Sequence, residues 1–309
     1  MSYEFVPAPQ GGIVAAGACK GRGDLVNVKI GEGATALGEG AFADCPRLAS
    51  VVIPDGVKKI GKGAFANCPC LTTITLPASV TEIGDEAFSG CDKLASVNLP
   101  DGVASIGRSA FYGCAALAQI DLPRGVTEIP FCAFNGCTSL ASVVIPGGVR
   151  EIGNSAFADC AKLASVVIPD GVAKINQSAF DGCKALADVK IPRSVTEICW
   201  RAFAGCQSLT TVAIPGESAK IGREAFKGCA GLTAIAVHEG VKEIGNDAFK
   251  GCARLASVAI AGSVTKIGDG AFAGCARLTA VTIPDSVEEI GAAAFRGSAL
   301  TAGPSSRTG

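Results

Sequence analysis

The chain has 309 residues, a formal net charge of −1 and a sequence pI of about 6.0. Its 27 Lys and Arg are spread along the chain, which excludes the basic stripe of a nucleic-acid binder. Mean hydropathy is +0.40, yet Gly, Pro or a charge interrupts every apolar run well short of the roughly 18 residues a membrane span needs, so no membrane insertion is expected.

Residues 1–24 have their own composition, and Phe5, Ile13, Val14, Ala15 and Ala16 are expected to cover the apolar end of the segment that begins at Leu25. They show no basic stretch leading into an apolar one, the mark of a secretory signal. The tripeptide Arg22-Gly23-Asp24 matches an integrin-binding signal, but three-residue matches are cheap and this one abuts a strand. From Leu25 to Leu278 twelve leucines recur every 23 residues without an insertion or deletion. A fixed period of this length marks a solenoid, in which each repeat stacks only on its neighbours. The array spans 25–300, and residues 301–309 read as a disordered tail.

Residues 48–70 show one coil. Val51 and Ile53 alternate with Ser50 and Val52, which predicts a short strand with one face inward. Pro54-Asp55-Gly56 ends it with turn chemistry. Val57 and Ile60 return to the core, and Ala64 and Cys68, four apart, predict a single helical turn. Phenylalanine fills one column in all twelve repeats, from Phe42 to Phe295, and predicts a stacked spine opposite the strands.

The pattern Leu-x-x-Val-x-Ile-Pro-x-x-Val-x-x-Ile-Gly-x-x-Ala-Phe-x-x-Cys resembles the BspA-like, treponemal type, leucine-rich repeat across 25–300. The resemblance implies an α/β solenoid: a leucine-rich-repeat horseshoe of twelve coils, with a parallel sheet on one face and short helical turns on the other. It also implies adhesion-like recognition of proteins, often at cell surfaces, and brings no catalytic residues.

Eleven of the 15 cysteines share one column, from Cys45 to Cys275. Parallel side chains in a ladder do not meet the directional needs of a disulfide, nor can they converge on zinc. The expected state is buried thiols, which points to a reducing, cytoplasmic location, or to the cell surface or secretion if a leader is missing. Cys19, Cys70, Cys132 and Cys199 lie off the ladder or beside it and are the candidates for reactivity. His238 is the one histidine, placed in a turn, and no phosphate loop or metal pattern accompanies it, so neither a cofactor nor catalysis is expected.

Three surface features remain. The outward strand positions are small and nearly uncharged. A second column alternates in sign through Glu151, Lys174, Glu197, Lys220, Glu243, Lys266 and Glu289. The third feature breaks the repeat. Where nine coils keep the Gly, two read Ile129-Pro130-Phe131-Cys132 and Ile198-Cys199-Trp200-Arg201, and the glycine's need for positive φ would then imply a rebuilt backbone. Phe131 and Trp200 fall in one column, about 15 Å apart at strand spacing. Asn154 and Gln177 lie between them, Arg108 and Arg223 flank them, and Tyr112 extends the strip. An aromatic-capped strip rimmed by arginine predicts a site for a protein partner of unknown identity. A structural spacer or self-assembly unit is the alternative. At the C-terminal end Ser298 replaces the ladder cysteine and Thr301 the leucine, so end-to-end self-association is expected of a thin cap.

Overall fold

A computed structural model describes residues 3–8, 11–216 and 220–300. The chain divides into two compact units, Met1–Val149 with Asp159–Ala161, and Arg150–Ala158 with Lys162–Gly309. Each is a parallel β solenoid of 23-residue coils. In the first unit Glu4–Val6, Asn27–Ile30, Ser50–Val52, Thr73–Thr75 and Ser96–Asn98 form one sheet. Ile13–Val14, Ala36–Leu37, Lys59–Ile60, Glu82–Ile83 and Ser105–Ile106 form another. In the second unit seven two-residue strands, from Glu151–Ile152 to Glu289–Ile290, make a parallel sheet, while Thr211–Ile214, Ala234–Val237 and Ser257–Ile260 line a face of their own. Most coils therefore carry two strand columns, and the second was expected only as an irregular return.

Alternation sets which side chains are buried. Val51 is 6% exposed while Val52 beside it is 42% exposed. Leu, Val, Ile, Ala, Phe and Cys columns fill the interior, and Phe42 to Phe272 are fully buried. Within each unit the rings stack with centroids 5.2–5.5 Å apart and planes 4–9° from parallel.

The expected helical turns are not formed: no helix occurs among the described residues, and none is long and apolar enough to cross a membrane. The hydrogen bonds give the reason. Gly63, Phe65 and Asn67 donate their N–H groups to Asp85, Ala87 and Ser89, one coil on, at 2.7, 2.8 and 2.7 Å. Ala64 and Ala66 between them close tight turns onto Gly61 and Gly63 at 3.1 and 2.9 Å. Left-handed residues at Gly63 (φ 56°) and Asn67 (φ 56°) reverse the chain twice within five residues, which no α-helix tolerates.

The glycine after each isoleucine is also explained differently from the expectation. It is needed for close approach rather than for positive φ: a Cβ on Gly61 would meet the carbonyl of Leu37 and lie 2.7 Å from the Gly38 carbonyl carbon. The N-terminal segment repeats the coil. Cys19 takes the phenylalanine position, donating its N–H to Ala41 at 2.7 Å as Phe42 does to Ala64 at 2.8 Å. Val14 closes the interior at 2% exposure, whereas Ile13 (55%), paired in step with Ala36, lies in the outward column; Phe5 (61%) faces outward because Glu4–Val6 pairs one residue out of step, Phe5 opposite Lys29. Residues 301–309, read as a tail, lie outside the described residues.

Candidate functional site

The broken coils present their aromatic residues to solvent. In the first unit Phe131 is 42% exposed and Tyr112 is 47% exposed, with the Arg108 guanidinium 5.1 Å from the centre of the Phe131 ring. In the second unit Trp200 is 45% exposed at the edge of a concavity of about 460 Å3. Asn154, Asn176, Gln177, Cys199 and Arg223 line it, together with Lys174, Glu197 and Lys220. Four of the residues expected in a strip, Asn154, Gln177, Trp200 and Arg223, thus share one site. Arg108, Tyr112 and Phe131 belong to the other unit.

The turn bearing Trp200 is held firmly. Arg201, which follows it, adopts φ 54°, a conformation disfavoured for a long side chain. Its guanidinium donates to both carboxylate oxygens of Asp181, at 2.8 and 3.2 Å, and to Oε2 of Glu224 at 3.1 Å. Glu224, 6% exposed, also accepts from Lys227 at 3.1 Å and lies 3.3 Å from Arg223 Nε. Burial by itself would raise the Glu224 carboxyl, but hydrogen bonds and charge from Lys227 and Arg201 outweigh it and hold the pKa below the ordinary range. Asp181, Arg201, Glu224 and Lys227 were not singled out in the sequence. The signal was there: Arg201 and Glu224 are opposite charges 23 residues apart in a column that elsewhere holds mostly Gly and Ser.

The lysines of the concavity are engaged as well, Lys174 with Glu197 at 3.0 Å and Lys220 with Glu243 at 2.9 Å. Burial, helped by Glu197, pushes the Cys199 thiol up to about 12. Cys19 is likewise raised by burial, Cys132 is buried, and Cys70 is half-buried. Along the ladder each thiol from Cys45 to Cys275 donates to a backbone carbonyl at 3.0–3.4 Å. Their thiol state follows from burial and geometry and carries no information on compartment.

His238 is exposed at a second concavity of about 850 Å3, where Lys190 and Arg193 are balanced by Asp170 and Glu239. Arg22 closes on Asp24 and reaches Glu4 at 2.7 Å, so the charges of Arg22-Gly23-Asp24 are turned onto each other and a neighbour.

Comparison with known proteins places these features in a family. A family model described as the BspA type leucine-rich repeat region, in six copies, matches residues 13–81, 58–187 and 174–301. The chain is similar to a leucine-rich repeat protein from Bacteroides ovatus at 30% identity, covering 85% of this chain and 80% of that one, with a TM-score of 0.71. A leucine-rich cell surface protein from Faecalibacterium prausnitzii is 32% identical, with 85% and 89% covered and a TM-score of 0.50. A leucine-rich repeat protein from Eubacterium ventriosum, 23% identical over 91% and 85% at a TM-score of 0.60, shares the fold. No curated protein matches the chain. The cytoplasmic placement expected from the thiols gains no support from these relatives. The coil pattern, the parallel strands and the matched residues lead to one identification: the chain belongs to the BspA-type leucine-rich repeat family.

Proposed function

We propose that this chain is a non-enzymatic recognition scaffold that holds a protein partner through Trp200 and the concavity beside it. The observation that carries the reading is a half-exposed indole on a turn already fixed by the Asp181–Arg201–Glu224 network. Exposed Trp and Arg dominate protein-binding hot spots, and a side chain held in place before binding loses less entropy on binding. Asn154, Gln177 and Arg223 around the ring supply the polar rim such a hot spot needs. The likeness to a cell surface protein of Faecalibacterium prausnitzii supports recognition at a surface rather than in the cytoplasm.

A spacer without a dedicated ligand is the competing reading, favoured by the small outward residues of the sheet faces, such as Ala213, Ala236 and Ala259. Affinity capture from the native source separates the two. Trp200→Ser is expected to lose a protein that the wild type retains, weakening it by about 2 kcal/mol or more, with an unchanged melting curve. Equal retention by both proteins would refute the assignment.

A further inference from the structure

We propose, resting on the Trp200 site described above, that its concavity takes a saccharide: a sugar chain carried by the protein partner. The strongest pointer is Asn176. It stands, with Cys199, where the coils on either side have Gly153 and Gly222. The residue is only 8% exposed, and its Nδ2 donates to Glu151 Oε1 at 2.5 Å and to the Ile152 carbonyl at 2.9 Å. Both amide hydrogens are thereby used, which fixes how the amide is turned. No donor reaches its Oδ1, and no buried side-chain oxygen or nitrogen among the described residues is without a partner, so this oxygen is open to solvent. Asn176 lines the concavity, and the oxygen opens onto it. A nearly buried acceptor held in one orientation calls for an O–H or N–H from a ligand.

The rest of the lining offers the reverse. Lys174 gives one N–H to Glu197 at 3.0 Å and Lys220 one to Glu243 at 2.9 Å, and an ammonium has two more to give. The Arg223 side chain is 67% exposed, and Gln177 is exposed as well. Donors and an acceptor thus surround a single half-exposed ring. A sugar hydroxyl donates and accepts at once, and the C–H face of a pyranose packs on an indole, so a saccharide uses both halves of this lining.

A bare polypeptide anchor needs apolar walls that exclude water. Here the apolar neighbours of the ring, Ile198 and Cys199, are 0% and 7% exposed, and what meets solvent around the ring is polar. The volume of about 460 Å3 falls within the roughly 300–1,000 Å3 of small-ligand sites.

Trp200 is the one tryptophan of the chain, so indole fluorescence reports this site alone. The intact chain is titrated with neutral trisaccharides of glucose, galactose, mannose and N-acetylglucosamine, each to roughly 10 mM. At least one should give a saturable change, weakened at least tenfold by Asn176→Gly. Glycine is what the flanking coils carry there, so melting should stay cooperative. If it does not, Arg223→Ala, at an exposed position, is read in its place with the same loss expected. In affinity capture from the native source, mild periodate, which cleaves the vicinal diols of sugars, should abolish retention of the Trp200-dependent partner. No saturable change with any sugar, sugar binding indifferent to both variants, or Trp200-dependent capture that survives periodate would each overturn the proposal. The last result would leave Trp200 as a contact for polypeptide. Sugar binding without any Trp200-dependent capture would instead sink the protein-partner reading and keep the sugar site.

Discussion

Glycine has two different tasks in each coil, and substitutions separate them. Gly245 packs against the preceding coil, where an added Cβ would lie 2.7 Å from the Ile221 carbonyl oxygen and 2.8 Å from Arg223 N. Gly245→Ala should therefore destabilise by about 1–3 kcal/mol in denaturant titration, the range for overpacking against atoms that cannot move aside. Gly113 has φ 70° and its nearest neighbour for a Cβ is 3.9 Å away, so only the left-handed conformation constrains it. Gly113→Asn should be close to neutral, because Asn67 fills that position in another coil at φ 56°. The repeat pattern marked the glycine after isoleucine but could not tell close approach from positive φ, since both read as Gly. The same ambiguity hid the meaning of Cys199 and Asn176, which occupy the close-approach column. There the buried Asn176 side chain donates to the Ile152 carbonyl at 2.9 Å.

The strand columns show which features a periodic sequence makes legible. Alternating charge placed Glu151 to Glu289 in one column, and the structure pairs them residue for residue, as Lys174↔Glu197 and Lys220↔Glu243. The period did not disclose that this column is a sheet, because two-residue strands are too short to display alternation. Nor did it exclude a helix at Ala64 to Cys68, since a four-residue spacing fits either a helical turn or two reversals.

The Glu197 carboxyl is held below its usual range, chiefly by its hydrogen bond to Lys174. A depressed folded-state pKa stabilises at pH values above the unfolded pKa, and the benefit disappears as pH falls through the lower, folded value. Lys174→Met should therefore narrow the difference between melting temperatures at neutral pH and at a pH below the carboxylate range. The effect should be under about 1 kcal/mol, as befits a pair near water.

Along the chain as a whole, stability resides in identical interfaces between successive coils, so the unit of tolerance is the coil. Excision of residues 232–254 rejoins Gly231 to Leu255 with every column preserved and should give a shorter, cooperatively melting protein. It brings Lys220 beside Lys266 in the charged column, a like-charge contact that lowers stability modestly. Deleting Ser257 alone shifts the rest of its strand to the opposite face and breaks the stack at that coil, and should lower the melting temperature and broaden the transition, as followed by circular dichroism. A mutant pair that failed equally, or survived equally, would contradict this account. The repeat and most buried positions could be read from spacing, and the residue pattern of the coil carried the family resemblance. The brace around Trp200 could not, because Asp181, Arg201, Glu224 and Lys227 meet only after the chain has wound three times.

Because most described coils are fastened to the next through backbone hydrogen bonds on three sides, tension applied between the ends of either unit would act on one fastening at a time. Each released coil would add about 80 Å of contour, 23 residues at roughly 3.5 Å each, so the chain should lengthen in even steps under load. A protein built this way yields length gradually where a globular domain of similar size would give way at once.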